Sequence, residues 1–246
     1  MAYSAEEGLC DPFGGQEDLA RGVVRAVGDP LRRFEEDALR ILRLYRFAAR
    51  FGFVIDEATE AAAKQLAAHL DCVSVERIEE ELNKLLSAPK PGAYLEPEVL
   101  AFVLPELPLD YLSEAREIID ALPAGGEEVT TRWAALLLPL GEDGTRKALK
   151  RLKCSNAVID GVATLVKEKA PRTLPSTLQA KRLLGKYDLH TVQQLTALWS
   201  ALQPERKDEF TVLQKEAETL TAQNACCRVS QLAVNCLLYT SPSPRD

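Results

Sequence analysis

Imidazole is nearly absent from this 246-residue chain: His69 and His190 are its only histidines, and no HExxH pattern or His–Asp pair includes either. A zinc site built from these residues is therefore not expected. Cysteine is present six times, at positions 10, 72, 154, 226, 227 and 236, with no CxxC spacing and no compact framework, which reads as buried free thiols in a reducing compartment. There is no GxSxG turn and no glycine loop leading into GK[ST], so the common hydrolase and P-loop constellations are missing. No apolar run approaches the ~18–20 residues of a membrane span, and no charged-then-apolar leader opens the chain, so a cytoplasmic location is expected. Excess positive charge is missing too. The formal net charge of −7 argues against a protein coated in nucleic acid but leaves room for a local basic track.

What is present is ordinary globular material: 46% apolar and 27% charged residues, enough for one or two domains with a sizeable core. Residues 1–29 carry turn chemistry and a short β-prone run at Val23–Val27. From Pro30 onward the apolar spacing is helical. Asp29 suits a cap and Pro30 a first helical position, where its missing N–H costs nothing. The spacing predicts helices over 36–51, 57–69, 74–87, 96–103, 113–121, 131–138, 143–152, 156–168, 176–185, 191–202 and 205–222. Breakers such as "SAPKPGAY", "PELPLD", "LPAGGEE" and "APRTLPS" stand between them. No fixed-period repeat is visible. The fold class is mainly α. The last eleven residues, "CLLYTSPSPRD" (236–246), carry no helical periodicity and are expected to be a non-native, adapter-derived tail.

One stretch, "FEEDALRILRLYRFAARF" (34–51), interleaves arginines with large apolar residues. On a continuous helix Asp37, Arg40, Arg43 and Arg46 follow one another at steps of about 60° and ~4.5 Å, a gently wound strip ~13 Å long. Ile41, Tyr45, Ala48 and Ala49 take the opposite arc and can face a core. A carboxylate only accepts and a guanidinium only donates. Side by side, Asp37 and Arg40 match an edge that offers an amine next to a ring nitrogen, as cytosine and adenine do; uracil and guanine would set a carbonyl against the Asp. Arg43 and Arg46 would then face sugar and triphosphate. The same residues also fit an ordinary i,i+3 ion pair on a solvated helix.

Three segments in order, "DPFGGQEDL" (11–19), "RAVGDPLRRFEEDALRILRLYRFAARFGF" (25–53) and "SVERIEEELNKLL" (74–86), resemble the class II tRNA nucleotidyltransferases, the family of CCA-adding enzymes and bacterial poly(A) polymerases. The likeness is strong to about residue 105 and weaker through "RWAALLLPLGEDGTRKALKRLKCSN" to "NACCRVSQLAVN". It implies that Asp37 and Arg40 template an incoming CTP or ATP and that Arg43 and Arg46 complete the nucleotide site. It also makes Asp11, Gly14, Gly15 and Asp18 a hinge segment, and Glu76 with Arg77 a brace of the helical neck. A plain turn at the glycines and a capping box at Ser74 would explain the same residues locally.

The resemblance has a gap. Family members open with a β-rich head whose DxD carboxylates hold magnesium, and no DxD occurs in this chain. The expected organisation is a remnant of head and hinge at 1–29, a neck for base recognition at 30–105, and a body with partial tail at 106–235. Met1 would then be an internal methionine, and the chain alone inactive. The short β segment would be residual from the absent head, leaving residues 1–28 frayed and poorly packed. Resemblance further implies tRNA held at its acceptor and TΨC arms. Arg146, Lys147, Lys150, Arg151 and Lys153 form the candidate phosphate-contacting face, followed by Lys167, Lys169, Arg172, Lys181, Arg182 and Lys186; a solvated helix face is the plain alternative. CC-adding, A-adding or poly(A)-adding activity, or a non-catalytic α-helical RNA-binding module, remain alternatives to CCA addition.

Overall fold

The computed structural model describes residues 2–4, 8–125, 129–173 and 176–227, so the expected tail at 236–246 lies outside the described residues. The chain divides into two compact units, Met1–Lys169 and Ala170–Asp246. The first unit opens with an antiparallel pair, β1 (Ala2–Ser4) and β2 (Gly8–Cys10), in the register Ala2 to Cys10. Helix α1 (Gly15–Arg21) follows, then β3 (Val23–Val24), α2 (Pro30–Glu36), α3 (Leu39–Phe51), β4 (Val54–Ile55), α4 (Glu57–Gln65) and α5 (Val75–Leu86). Helices α6 (Pro97–Val103), α7 (Leu112–Ala121), α8 (Val129–Leu137), α9 (Gly141–Arg151) and α10 (Asn156–Lys167) complete it. The second unit contains α11 (Thr177–Lys186), α12 (Leu189–Leu202) and α13 (Lys207–Ala222), with Trp199 and Phe210 buried and their rings 5.9 Å apart.

Capping chemistry sets many of the boundaries. Asp29 accepts from the Leu31 amide at 3.0 Å with Pro30 in the first turn, and Asp56, Ser155, Ser176 and Asp188 cap α4, α10, α11 and α12 in the same manner. Ser74 departs from expectation: it sits at the N-cap of α5 in an extended conformation, but its hydroxyl bonds no amide of the first turn.

Two expectations about the N-terminal region need correction. Val23 and Val24 are not an unpaired edge, because they pair in parallel with Val54 and Ile55 of the same unit, and the Ala26 amide adds a bond to the Thr59 hydroxyl at 3.2 Å. A hydrophobic dipeptide finds its ladder partner just past the Gly52 turn, which reverses the chain at φ 66°. The second correction concerns the arginine helix. It does not run through 36–51 but breaks at Asp37, whose backbone is extended (φ −152°, ψ 100°) between α2 and α3. The carboxylate Oδ1 takes the Leu39 amide at 3.2 Å, the local competition by which aspartate ends one helix and starts another. Helix α1 buries none of its residues.

The core of the first unit places α3 against α5. Ile41, Tyr45, Ala48 and Ala49 are buried, as the apolar arc of the sequence requires, and Ile78, Leu82, Leu85 and Leu86 supply the buried stripe of α5. Helix α8 grips the end of α5. Trp133 Nε1 donates to Asn83 Oδ1 at 2.6 Å, and the fully buried Arg132 donates to the carbonyls of Leu86, Ala88 and Leu122. Those carbonyls lie at or just past the ends of α5 and α7, where no intrahelical donor remains, so one guanidinium satisfies several orphan acceptors at once.

Candidate functional site

The α3–α5 seam assembles the charged side chains. Glu81 stands in the buried stripe of α5, only 3% exposed, and faces two arginines of α3. Its Oε2 lies 3.1 Å from Arg46 Nε as an ion pair without the alignment of a hydrogen bond, and its Oε1 lies 3.5 Å from Arg43 Nε. The buried carboxylate holds the mostly buried Arg46 in place, since separating the two would leave a charge uncompensated, and gives the more exposed Arg43 a longer, second contact. Arg46 also lies over the Phe47 ring, 4.1 Å from its centroid.

Asp37 and Arg40 are not paired with each other through their side chains. Asp37 accepts from Arg77 of α5 at 3.1 and 3.4 Å, while Arg40 donates to Glu36 at 2.7 Å and to the Arg33 carbonyl at 2.9 Å. The backbone keeps them one turn apart through the bond from the Arg40 amide to the Asp37 carbonyl, 3.0 Å. Arg33 shares the Glu36 carboxylate at 3.0 Å, and the Arg40 and Arg33 hydrogen bonds hold that carboxyl below its usual range. Arg40 and Arg43 line a concavity of about 340 Å³ together with Arg25, Arg33, Phe34 and Phe47; Asp37 and Arg46 are outside its lining. Arg40, Arg43 and Arg46 thus keep the helical order expected of them, and the carboxylate joins from the interhelical break.

The remaining predicted residues fall in three places. Asp11 Oδ2 accepts from the Gln16 amide at 2.7 Å, and the amides of Gln16, Gly15 and Phe13 hold its carboxyl below the usual range. Gly14 is left-handed at φ 69°, whereas Gly15 simply begins α1. Asp18 accepts from Nε and Nη2 of Arg25, which lowers its pKa. Arg77 braces Asp37; Glu76 instead pairs with Lys153 at 2.5 Å. On α9, Arg146 pairs with Asp160 at 2.6 Å and Arg151 with Glu106 at 2.6 and 2.8 Å. Lys147 and Lys150 are exposed and carry no ion pair among the described residues. Among those residues no group of three or more His, Cys, Asp or Glu side chains could hold a metal ion. No described helix is long and apolar enough to cross a membrane.

Residues 52–108 match the family described as the probable RNA and SrmB-binding site of polymerase A. The CCA-adding enzyme of Limosilactobacillus reuteri is 35% identical over 235 residues, 92% of this chain and 56% of that protein. The CCA-adding enzyme of Bacillus cytotoxicus is 30% identical over 86% of this chain and 58% of its own length. The chain belongs to the CCA-adding enzyme family. The crystal structure of the Bacillus stearothermophilus CCA-adding enzyme in complex with CTP superposes with a TM-score of 0.74 at 27% identity, covering 99% of this chain and 62% of that one. The chain spans about half the length of the curated CCA-adding enzymes it matches.

Glu81 is the site residue that sequence reasoning passed over. Its signal is readable: with Ile78, Leu82 and Leu85 it occupies the i, i+3, i+4, i+7 face of α5, so an acid stands in an apolar stripe. Adjacent glutamates should therefore respond differently to removal. Glu81→Ala is expected to cost about 2–4 kcal/mol, because it strands the mostly buried Arg46. Glu80→Ala, which loses only an exposed pair with Lys84, should cost under about 0.5 kcal/mol. Urea unfolding of the two variants checks the difference.

Proposed function

We propose that this chain supplies the base-selecting and RNA-holding part of a nucleotidyltransferase that adds CCA to tRNA from CTP and ATP. Asp37 presents a carboxylate braced by Arg77 and the Leu39 amide. It accepts the exocyclic amine of cytosine or adenine, while Arg40 leaves Glu36 to donate to the adjoining ring nitrogen. Arg43 and Arg46, held by Glu81, meet the sugar and triphosphate. Asp11, Gly14, Gly15 and Asp18 form the hinge, and the divisions at 1–29, 30–105 and 106–235 serve as head remnant with hinge, as neck, and as body with partial tail. Magnesium chemistry belongs to carboxylates that these residues do not provide, so the isolated chain should bind nucleotide and transfer none.

The observation that carries this reading is the seam of α3 and α5, where five charged side chains, Asp37, Arg43, Arg46, Arg77 and Glu81, constrain one another beside a nucleotide-sized concavity. Incubating tRNA lacking its terminal trinucleotide with a longer protein that carries the metal carboxylates, CTP and ATP being supplied separately, separates CCA addition from CC-, A- or poly(A)-addition. A non-catalytic RNA-binding module would incorporate neither.

Lys147 and Lys150 are the cations of α9 free to meet phosphate. Affinity for tRNA should fall as salt rises, with a log–log slope that shrinks by about 1 when Lys147 and Lys150 are both changed to alanine. Binding indifferent to ionic strength would remove α9 from the interface.

A further inference from the structure

Seven residues beyond Arg40 on α3, about 10 Å along the axis, the charged strip gives way to aromatic rings. Phe47 and Phe51 lie one turn apart with parallel rings, 2° between planes and 6.2 Å between centroids, and Phe51 leans on Phe53 at 5.6 Å. Phe51 is 55% exposed and Phe13, which lines the same concavity, 62%. These four rings wall a space of about 610 Å³, and Val24–Val27 with Phe47 also border the arginine-lined concavity beside it. Large flat apolar faces left in water beside guanidinium groups are the composition of a single-strand nucleic-acid platform, where rings take bases and cations take the backbone.

We propose that the Phe13–Phe47–Phe51–Phe53 concavity is a stacking subsite for one unpaired base of the RNA strand whose phosphates run over the adjoining arginines. This rests on the reading given under Proposed function and adds a second base position to it. Charge favours this occupant over a polypeptide. The wall of the arginine-lined concavity holds four guanidinium groups, of Arg25, Arg33, Arg40 and Arg43, which pair with three carboxylates, Asp18, Glu36 and Glu81, so that side has one positive charge to spare. The acids on the aromatic side are engaged: Asp11 by the Gln16 amide, Asp18 by Arg25 and Glu17 by Arg21. A neutral base suits that side and an anionic backbone suits the other. The distance from Arg40 makes the base a neighbour of the incoming nucleotide along the strand.

The test is an acceptor-stem RNA hairpin with 2-aminopurine at its unpaired 3′ end, titrated against the chain, with 2-aminopurine riboside triphosphate as the free-nucleotide arm. Stacking should quench the hairpin's fluorescence. Phe51→Ala, at a position exposed enough to leave the fold intact, should abolish the quenching and weaken binding about 5- to 150-fold with an unchanged salt slope. Phe51→Trp should restore both, and the triphosphate should not respond to either change. Equal quenching and affinity in Phe51→Ala would overturn the subsite while leaving RNA binding standing. A hairpin that binds neither the unaltered chain nor its variants would instead overturn the proposed function itself.

Discussion

Asp37→Ala, introduced into a longer family member that carries the metal carboxylates, should reduce the preference for CTP and ATP over UTP and GTP by about 100-fold. The magnitude follows from hydrogen bonds to a charged group, each worth roughly 1.5–3 kcal/mol, together with the lost repulsion of a carbonyl. Incorporation of the four triphosphates measured separately checks it. Structure adds a condition to the expectation. Arg77 donates to both carboxylate oxygens, so Arg77→Ala should loosen the same selection without removing its acceptor. If Asp37→Ala left the preference intact, Asp37 would be a helix-start residue and nothing more.

Arg132→Ala should lower the stability of the first unit by about 3–5 kcal/mol, a large share of the total for a domain of this size. Its guanidinium is fully buried and reaches the carbonyls of Leu86, Ala88 and Leu122, which no other group replaces when it is cut back. Lysine at this position has one donor head in place of a fork and should recover less than half of the loss. At roughly 2–4 °C per kcal/mol, the alanine variant should melt about 10 °C lower. Thermal and urea unfolding give the number, and a loss below about 1 kcal/mol would contradict the anchoring role. The effect reaches the site through α5, which Arg132 and Trp133 hold at one end and which presents Arg77 and Glu81 toward α3.

The helices are legible in the sequence because their apolar periodicity is regular and their caps are local. Asp29 with Pro30, and the buried arc Ile41, Tyr45, Ala48 and Ala49, need no knowledge of distant partners. What is not legible depends on partners far along the chain. The break at Asp37 turns on one carboxylate choosing the Leu39 amide over a continued helix, and its brace, Arg77, lies forty residues on. The pairing of Val23–Val24 with Val54–Ile55 spans two intervening helices. Glu81 is hidden by its company, since it is one of three adjacent glutamates and only its phase on α5 separates it from the other two. The basic run at 146–153 reads as a uniform face, yet Arg146, Arg151 and Lys153 are engaged by Asp160, Glu106 and Glu76.

The most direct measurement is a crystal structure of the chain with CTP bound. The cytosine amine should lie within hydrogen-bond reach of the Asp37 carboxylate, with Arg40 turned from Glu36 to the ring nitrogen and the triphosphate against Arg43 and Arg46. A cytosine ring seated elsewhere, with Asp37 still closed on Arg77 and Arg40 still on Glu36, would contradict base selection by this pair.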